Sequence, residues 1–386
     1  MHTERCRLTI LVSHPIQYFA PLYRELARHN DLDVHVVFRA RAGIDSYFDE
    51  GFGREVRWDV DLLQGYSHEF LSDRTEPEPI AWSIARVVGK RRPHVLLVHG
   101  YSSATHLLAI LAARQAGTKV LMRGDTRLEP RHRREAAKSL VKKWLFRLVD
   151  GFVAIGSLNA AYYQAMGVPS DKIHFAAFAV DNDAFALGSS KLEVRNSERE
   201  RMDIADDAIV AVFASKLVHR KRATDLLAAF ASLVERFPDA VLIVAGSGED
   251  ERALRELAAP LEARVRFVGF RNQSELPALF AASDVFVLPA ADEPWGLVVN
   301  EAMAAGLPTV VSDDVGCAPD LVEGKGTGIV FPVGDIGRLA EALAELMSTP
   351  ELRMRMGRAA EKLIDDWSVK ASAEGIARAA LAVWSR

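Results

Sequence analysis

Short apolar runs rich in β-branched residues alternate along the chain with segments in which apolar residues recur every three or four positions. The short runs predict buried strands and the periodic segments predict amphipathic helices. The predicted strands span 8–12, 33–38, 95–98, 119–122, 151–155, 209–213, 240–245, 264–268, 283–288, 309–312 and 327–332. The predicted helices span the second part of 13–27, then 80–90, 104–116, 133–148, 223–236, 274–282, 295–305, 338–347 and, in two or three pieces, 351–385. This alternation favours an α/β fold with parallel sheets, whose ligands bind beyond the carboxyl ends of the strands.

The length of the chain favours two domains. A chain of 386 residues is long for a single core. The periodicity is lost at 181–207, which we interpret as an interdomain connection. We therefore expect a first domain over 1–180, a second over 208–365 and a final helical segment over 366–386.

Composition excludes several classes of protein. A net charge of −4 argues against general nucleic-acid binding. Cys6 and Cys317 are the two cysteines, and neither a disulfide framework nor a zinc-binding spacing is present. The apolar runs are too short for a transmembrane helix or a normal signal core. These observations favour a reducing, cytoplasmic location.

The most informative stretch is 288–308, where an apolar run leads through an acidic loop into a helix. Glu293 lies in the loop, and Gly296 at the helix start would let a phosphate approach the free N–H groups there. Glu301 lies eight positions after Glu293, so the two carboxylates could flank one ligand. An acidic cap followed by an exposed helix glutamate is an equally good interpretation of the spacing alone.

Polar and charged side chains follow several other predicted strands. Lys216 and Lys221 follow strand 209–213 and could neutralise a diphosphate, although solvated charges are the alternative. Gly246 and Gly248 close the next strand, where they could form a tight turn or contact a ligand. In the first half, the residues after strands are His14, Gln17, Tyr18, His99, Arg123 and Asp125.

The stretch Glu293 to Glu301, continued through 302–308 and the following strand, resembles the Glu-x7-Glu motif of the retaining glycosyltransferase family GT4. The resemblance implies the GT-B fold, in which two Rossmann-like domains with parallel sheets face each other across a cleft. It also implies transfer of a sugar from a UDP- or GDP-type donor to a glycan, lipid-linked or small-molecule acceptor. The segment 366–386 would then cross back onto the first domain.

The resemblance also implies roles for individual residues. His99 and Glu293 would be catalytic, with Glu293 binding sugar hydroxyls and Glu301 the ribose. The implied donor-binding set is Lys216, Lys221, Gly246, Phe270, Glu293, Trp295, Gly296, Leu297, Val298 and Glu301. The implied acceptor-binding set is His14, Gln17, Tyr18, Arg123 and Asp125. The sequence departs from the family at Lys216, where an arginine is usual, and around His14, where a glycine pair is absent.

Two further expectations concern metals and membranes. No acidic pair has the Asp-x-Asp spacing of a metal site at a strand end, so we expect no cofactor and no obligatory metal. The segment Arg127 to Leu148 is basic and amphipathic. It predicts either a helix packed on the sheet with solvated charges outside, or peripheral contact with the inner face of an anionic membrane.

Rival functions share parts of this pattern. A nucleotide-sugar epimerase has the same fold and needs no acceptor. A two-domain sugar-binding protein also has a cleft between α/β domains, but the predicted lack of a signal peptide and the cations Lys216 and Lys221 argue against it. A dinucleotide dehydrogenase is disfavoured because no Gly-x-Gly-x-x-Gly follows the first strand.

Overall fold

The structure, a computed structural model, describes residues 4–78, 80–128 and 140–386. The chain divides into two units, which are described separately. Unit 1 comprises the described residues of Met1–Tyr47, Val60–Ala179 and Ser368–Arg386. Unit 2 comprises Phe48–Asp59 and Val180–Trp367. The short segment 48–59 therefore belongs to unit 2, although the chain before and after it belongs to unit 1.

Unit 1 is built on a parallel sheet. Its strands are β1 Cys6–Val12, β2 Leu32–Phe38, β5 Ser67–Phe70, β6 Val95–His99, β7 Lys119–Arg123, β8 Gly151–Ala154 and β9 Ile173–Phe175. Among the described residues they lie in the order β5-β2-β1-β6-β7-β8-β9, and each neighbouring pair is parallel. A separate two-stranded sheet pairs β3 Tyr47–Asp49 with β4 Arg54–Val56.

Unit 2 is built on a second parallel sheet. Its strands are β10 Val210–Ala214, β11 Val241–Ala245, β12 Val265–Gly269, β13 Val285–Leu288, β14 Thr309–Ser312 and β15 Gly328–Phe331. Their order is β12-β11-β10-β13-β14-β15. In each sheet the strand order reverses once, between β1 and β6 in unit 1 and between β10 and β13 in unit 2. Such switch points are where open α/β sheets bind ligands.

Helices cover both faces of the sheet in unit 1. They span Phe19–Ala27, Ser83–Arg91, Ala104–Gln115, Leu140–Arg147, Ser157–Ala165 and Val369–Trp384. Leu8 and Ile10 of β1 pack in one core with helices Phe19–Ala27 and Val369–Trp384, whereas Leu11 packs in the core on the opposite face. The alternation follows from the strand period of two.

The helices of unit 2 span Asn182–Phe185, Lys191–Arg201, Ala223–Ala231, Glu251–Ala258, Leu276–Ala281, Leu297–Ala304, Ile336–Ser348 and Pro350–Ile364. Helix Lys191–Arg201 lies in the segment that the sequence predicted as an aperiodic connection. Its sequence is polar almost throughout, but the side chain of Arg199 is buried and donates to the carbonyls of Ala282, Ala205 and Ala208. A buried guanidinium anchors this helix, and apolar periodicity does not reveal such an anchor.

The structure corrects other sequence predictions in detail. The strands of both sheets were predicted, except that β5 and β9, like the separate pair β3 and β4, were missed. Helix Leu297–Ala304 starts two residues later than predicted, because Gly296 adopts a left-handed conformation with φ of 93°. Of the predicted helix 133–148, residues 133–139 lie outside the described residues, and the described part forms helix Leu140–Arg147.

Candidate active site

The switch point of unit 2 brings together the loops that follow β10 and β13. The amide of Ala291 donates to the carbonyl of Arg220 at 2.7 Å, which ties the two loops together. Lys221 Nζ donates to Glu293 Oε2 at 2.5 Å, and Arg220 Nη1 donates to the same oxygen at 3.1 Å. Two residues that the sequence placed in the donor site, Lys221 and Glu293, are thus in direct contact, and Arg220 is a partner that the sequence analysis missed.

The ion pair between Lys221 and Glu293 is buried. Lys221 is 6% exposed and Glu293 is 9% exposed. Burial lowers the pKa of Lys221 below its usual value, although the charge of Glu293 acts in the opposite direction. The pair therefore places a compact cation and a carboxylate at the carboxyl edge of the sheet, where a dianionic phosphate would compete with Glu293 for the lysine.

The loop that carries Glu293 is held by the loop after β14. Glu293 N donates to the carbonyl of Asp314 at 3.3 Å, and Gly316 N donates to the carbonyl of Glu293 at 2.9 Å. Gly316 can lie this close because it has no side chain, since a Cβ there would be 1.9 Å from the carbonyl oxygen of Pro294. The position of Glu293 thus depends on a glycine 23 positions later in the chain.

Glu301 is buried inside helix Leu297–Ala304. Its side chain is 1% exposed, and Gln273 Nε2 donates to Glu301 Oε1 at 2.9 Å. The interpretation of Glu301 as an exposed helix residue is therefore wrong. Gln273 lies shortly after Phe270, so Glu301 is linked to the loop after β12, and this partner was not foreseen from the sequence.

Gly296 precedes the same helix. The amides of Leu297 and Val298 have no acceptor inside the helix, because the first N–H groups of any α-helix lie before its first hydrogen-bonded turn. A Cβ at Gly296 would be 3.1 Å from Val315 Cγ1 and would also face the strain of a positive φ. Trp295, another member of the predicted donor-binding set, precedes Gly296. It is buried, donates from Nε1 to Asn300 Oδ1 at 2.9 Å, and contacts Trp367 with 5.1 Å between ring centroids.

The loops after β10, β11 and β12 are hydrogen-bonded to one another. Leu217 N donates to the carbonyl of Ser247 at 2.8 Å, and Gly246 N donates to the carbonyl of Gly269 at 2.8 Å. Gly246 has a φ of 140°, and a Cβ there would be 1.9 Å from the carbonyl oxygen of Ser215. The Gly-x-Gly of the sequence is thus required for close packing of the loops at this edge.

In unit 1, the predicted residues gather at the ends of three adjacent strands. His14 follows β1, and its Nδ1 lies 2.9 Å from Ser13 Oγ. Gln17 and Tyr18 precede helix Phe19–Ala27 and are half-buried, whereas Asp125, after β7, is exposed.

His99 and Arg123 end the neighbouring strands β6 and β7 and are paired in register. Arg123 is 2% exposed, and its Nη2 donates to the carbonyl of Ala177 at 3.2 Å. Within the described part of the chain, its Nε and Nη1 and the Nε2 of His99 are buried without a hydrogen-bond partner. His99 is flanked by the ring of Phe19, with 4.7 Å between centroids. This cluster of unsatisfied donors and acceptors marks the switch-point edge of unit 1 as a candidate binding site.

The environment of His99, a half-buried residue whose Nε2 is buried, predicts a pH dependence of stability. Burial, followed by the charge of Arg123, holds the pKa of His99 well below its usual value. The unfolded chain therefore binds a proton that the folded chain does not, and stability falls as the pH drops below the ordinary histidine pKa of about 6.5. We expect His99→Gln to remove up to about 2 kcal/mol of the stability lost between pH 6.5 and 5.

The measurement is the melting temperature of wild type and variant across that pH range. His219→Gln serves as the matched control, because His219 is exposed. Equal slopes of melting temperature against pH for wild type and His99→Gln would contradict a neutral His99 in the folded protein.

The structure also bears on the expectation about metals. Among the described residues, no group of three or more His, Cys, Asp or Glu side chains is arranged to hold a metal ion.

The basic segment predicted from the sequence is described in part. In helix Leu140–Arg147, Leu145 and Phe146 are buried in unit 1 while Trp144 is 49% exposed. Of the two interpretations of the basic segment, packing on the sheet is therefore observed for this helix, and membrane contact stays a prediction. No described helix has the length and apolar character needed to cross a membrane.

The chain matches two family profiles, "Glycosyl transferases group 1" over residues 194–363 and "Glycosyl transferase 4-like domain" over residues 15–178. It is 33% identical over 184 residues to the GDP-mannose-dependent monoacylated alpha-(1-6)-phosphatidylinositol monomannoside mannosyltransferase of Corynebacterium glutamicum. That match spans 46% of this chain and 48% of that protein, about half of each. The chain is also 27% identical over 354 residues to the GDP-mannose-dependent alpha-(1-6)-phosphatidylinositol monomannoside mannosyltransferase of Mycobacterium tuberculosis. This second match covers 84% of this chain and 90% of that protein.

Among solved structures, the chain is similar to Anabaena Alr3699/HepE in complex with UDP. The TM-score is 0.75 at 19% identity, with 97% of this chain and 98% of that chain covered. The two sheets and their strand orders, together with this similarity, define the GT-B fold of glycosyltransferases. The chain belongs to the glycosyltransferase group 1 family, with a GT4-like first half, and is a glycosyltransferase. The predicted family, fold and enzyme class are confirmed.

Proposed function

We propose that the chain is a retaining glycosyltransferase that binds a nucleoside diphosphate sugar on unit 2 and its acceptor on unit 1. The observation that carries the proposal is the cluster of Lys221, Arg220 and Glu293 at the β10/β13 switch point, next to the start of helix Leu297–Ala304. Cations and a helix N-terminus favour phosphate, and a carboxylate beside them favours sugar hydroxyls.

Each group has a task in this proposal. The diphosphate leaves as the glycosidic bond to the donor breaks, so its negative charge grows in the transition state. Lys221 and the amides of Leu297 and Val298 would stabilise that charge. Glu293 would accept hydrogen bonds from the sugar, and Glu301, held by Gln273, would bind the ribose hydroxyls. His99 would contact the sugar in the reacting complex.

For the donor base, the sugar and the acceptor, the support comes from the names of similar proteins. The relatives from Corynebacterium glutamicum and Mycobacterium tuberculosis are named for GDP-mannose and phosphatidylinositol monomannoside, whereas the HepE structure holds UDP. We propose a UDP or GDP donor, and a glycan, lipid-linked or small-molecule acceptor. We further propose that no metal is obligatory, because Lys221 and Arg220 already supply positive charge for the diphosphate.

The test is thermal stabilisation by UDP, GDP, ADP and their common sugars, with and without EDTA. A ligand that binds only the folded state raises the melting temperature. At a ligand concentration one hundred times the dissociation constant, the free energy of unfolding increases by about 2.7 kcal/mol. We expect one nucleoside diphosphate to stabilise the wild type equally in EDTA.

We expect this stabilisation to be lost in Glu301→Gln and kept in Glu323→Gln, an exposed glutamate of unit 2 that serves as the control. Incubation with the stabilising nucleotide sugar then tests the reaction, since release of a free epimer would identify an epimerase. Stabilisation by a free sugar, with none from any nucleotide, would overturn the proposal in favour of a sugar-binding protein.

A further inference from the structure

Residues 48–59, here called the arm, pack on the edge of unit 2 that holds the candidate donor site. The arm is held through its backbone by side chains that follow the strands of unit 2. Ser247 Oγ donates to the carbonyl of Phe52 at 2.8 Å, and Asn272 Nδ2 donates to the carbonyl of Arg57 at 2.8 Å. Ser274 N donates to Asp59 Oδ1 at 3.3 Å, so the end of the arm is fixed as well.

Aromatic contacts attach the arm to the loop after β12. Phe52 meets Phe270 edge to face with 4.9 Å between ring centroids, and Trp58 lies 6.4 Å from the same ring. The guanidinium of Arg54 lies over Phe270 at 5.0 Å. Phe270 belongs to the predicted donor-binding set, so the arm covers one of the residues assigned to the nucleotide.

The arm also pairs with a cation of the donor site. Lys216 Nζ donates to Asp49 Oδ1 at 2.7 Å and to Oδ2 at 2.9 Å, and it lies 4.8 Å from the ring centroid of Phe52. The Asp49 side chain is 14% exposed and that of Lys216 is 33% exposed. Phe52 N donates to Asp49 Oδ1 at 3.0 Å, which fixes the carboxylate within the arm.

The close fit leaves no space between the arm and this lysine. A Cβ at Gly51 would lie 2.6 Å from Lys216 Cδ. At the neighbouring Gly248, a Cβ would lie 3.0 Å from the carbonyl oxygen of Gly51 and 2.3 Å from that of Leu217. The arm therefore packs directly on the Gly-x-Gly loop and on Lys216, and the contact at Gly248 needs glycine because the atoms it faces belong to the backbone.

We propose that the arm is a wall of the donor site and that Asp49 sets donor affinity, because a phosphate must displace its carboxylate from Lys216. This inference rests on the proposed function, since it assumes that Lys216 meets the diphosphate. A carboxylate and a phosphate oxygen compete for the same ammonium group. Asp49 thus weakens donor binding, while in the unliganded protein it compensates a partly buried charge.

The test compares the affinity of wild type and Asp49→Asn for UDP and GDP by isothermal titration calorimetry. Asparagine keeps the shape of the side chain and an oxygen that can accept from Phe52 N, but it removes the competing charge. We expect the diphosphate that binds the wild type to bind Asp49→Asn roughly fivefold more tightly, the upper range for a partly exposed ion pair. Binding of the corresponding nucleoside, which carries no phosphate, should be unchanged.

Two controls isolate the ion pair. Glu50→Gln makes the same charge change at the adjacent, exposed position and should bind like the wild type. In a Lys216→Met background, Asp49→Asn should bring no gain, because the lysine for which the two anions compete is absent. Equal or weaker diphosphate binding by Asp49→Asn would overturn the role of Asp49 and leave the proposed function standing. A wild type that binds no nucleoside diphosphate would instead overturn the proposed function, and this inference with it.

Discussion

Lys221→Met is expected to lower kcat/KM for sugar transfer by about a hundredfold to a thousandfold. A loss of this size is typical when an enzyme loses one fixed group that stabilises the charge of the transition state. Lys221 is buried, and its Nζ contacts Glu293 Oε2 at 2.5 Å. Without the lysine, the departing diphosphate loses a cation, and Glu293 keeps only the more exposed Arg220 as a charged partner. The measurement is release of nucleoside diphosphate from the stabilising donor, with and without acceptor.

The structural part of this effect can be separated from the catalytic part. Removing one member of a buried pair destabilises a protein by about 3–5 kcal/mol, because the other charge is left without its partner. Lys221→Met/Glu293→Gln removes both charges and should recover much of the melting temperature while activity stays low. Lys325→Met, an exposed lysine of unit 2, is the matched control and should behave like the wild type. Activity of Lys221→Met within threefold of the wild type would contradict the assigned role.

Gly316→Ala is expected to lower the free energy of unfolding by about 2–4 kcal/mol, a large loss for a single added methyl group. The new Cβ would lie 1.9 Å from the carbonyl oxygen of Pro294 and 3.1 Å from Trp295 Cα. Both are backbone atoms, so the loop that carries Glu293 must move as a whole. The hydrogen bond from Gly316 N to the carbonyl of Glu293 would be strained at the same time.

The measurement combines the melting temperature with donor binding, because the displaced loop should weaken both. Gly89→Ala is the control. Gly89 lies in helix Ser83–Arg91 with nothing within 4 Å of an added Cβ, so alanine should be neutral or slightly stabilising there. A Gly316→Ala protein with wild-type melting temperature and donor affinity would show that the loop accommodates the methyl group, against the packing described.

The sheets could be predicted from the sequence because their strands are short, continuous apolar runs, as in β10 and β13. The arm could not, because its contacts are made by isolated aromatic residues such as Phe52 and by backbone carbonyls. Helix Lys191–Arg201 was missed for a related reason, since its anchor is a buried arginine rather than an apolar stripe.

The candidate site was predictable only residue by residue. The resemblance to the family implies a donor-site role for Lys221 and for Glu293, but their mutual ion pair depends on the adjacency of β10 and β13. The same holds for Gln273 with Glu301 and for Asp49 with Lys216, whose partners lie 28 and 167 positions apart. Sequence patterns report local order, whereas such partners are selected by the topology of the sheet.

The division of the chain also bears on the order in which the protein can fold during synthesis. Helix Val369–Trp384 supplies Ile376, Ala380 and Val383 to a core of unit 1, next to Leu8 and Ile10 of β1. The ribosome makes this helix after all of unit 2, so a nascent chain can complete unit 2 while one face of the sheet in unit 1 is covered only in part, by helix Phe19–Ala27. Apolar residues of β1 therefore stay partly exposed while more than half of the chain is translated, which lengthens the period in which the first sheet can aggregate.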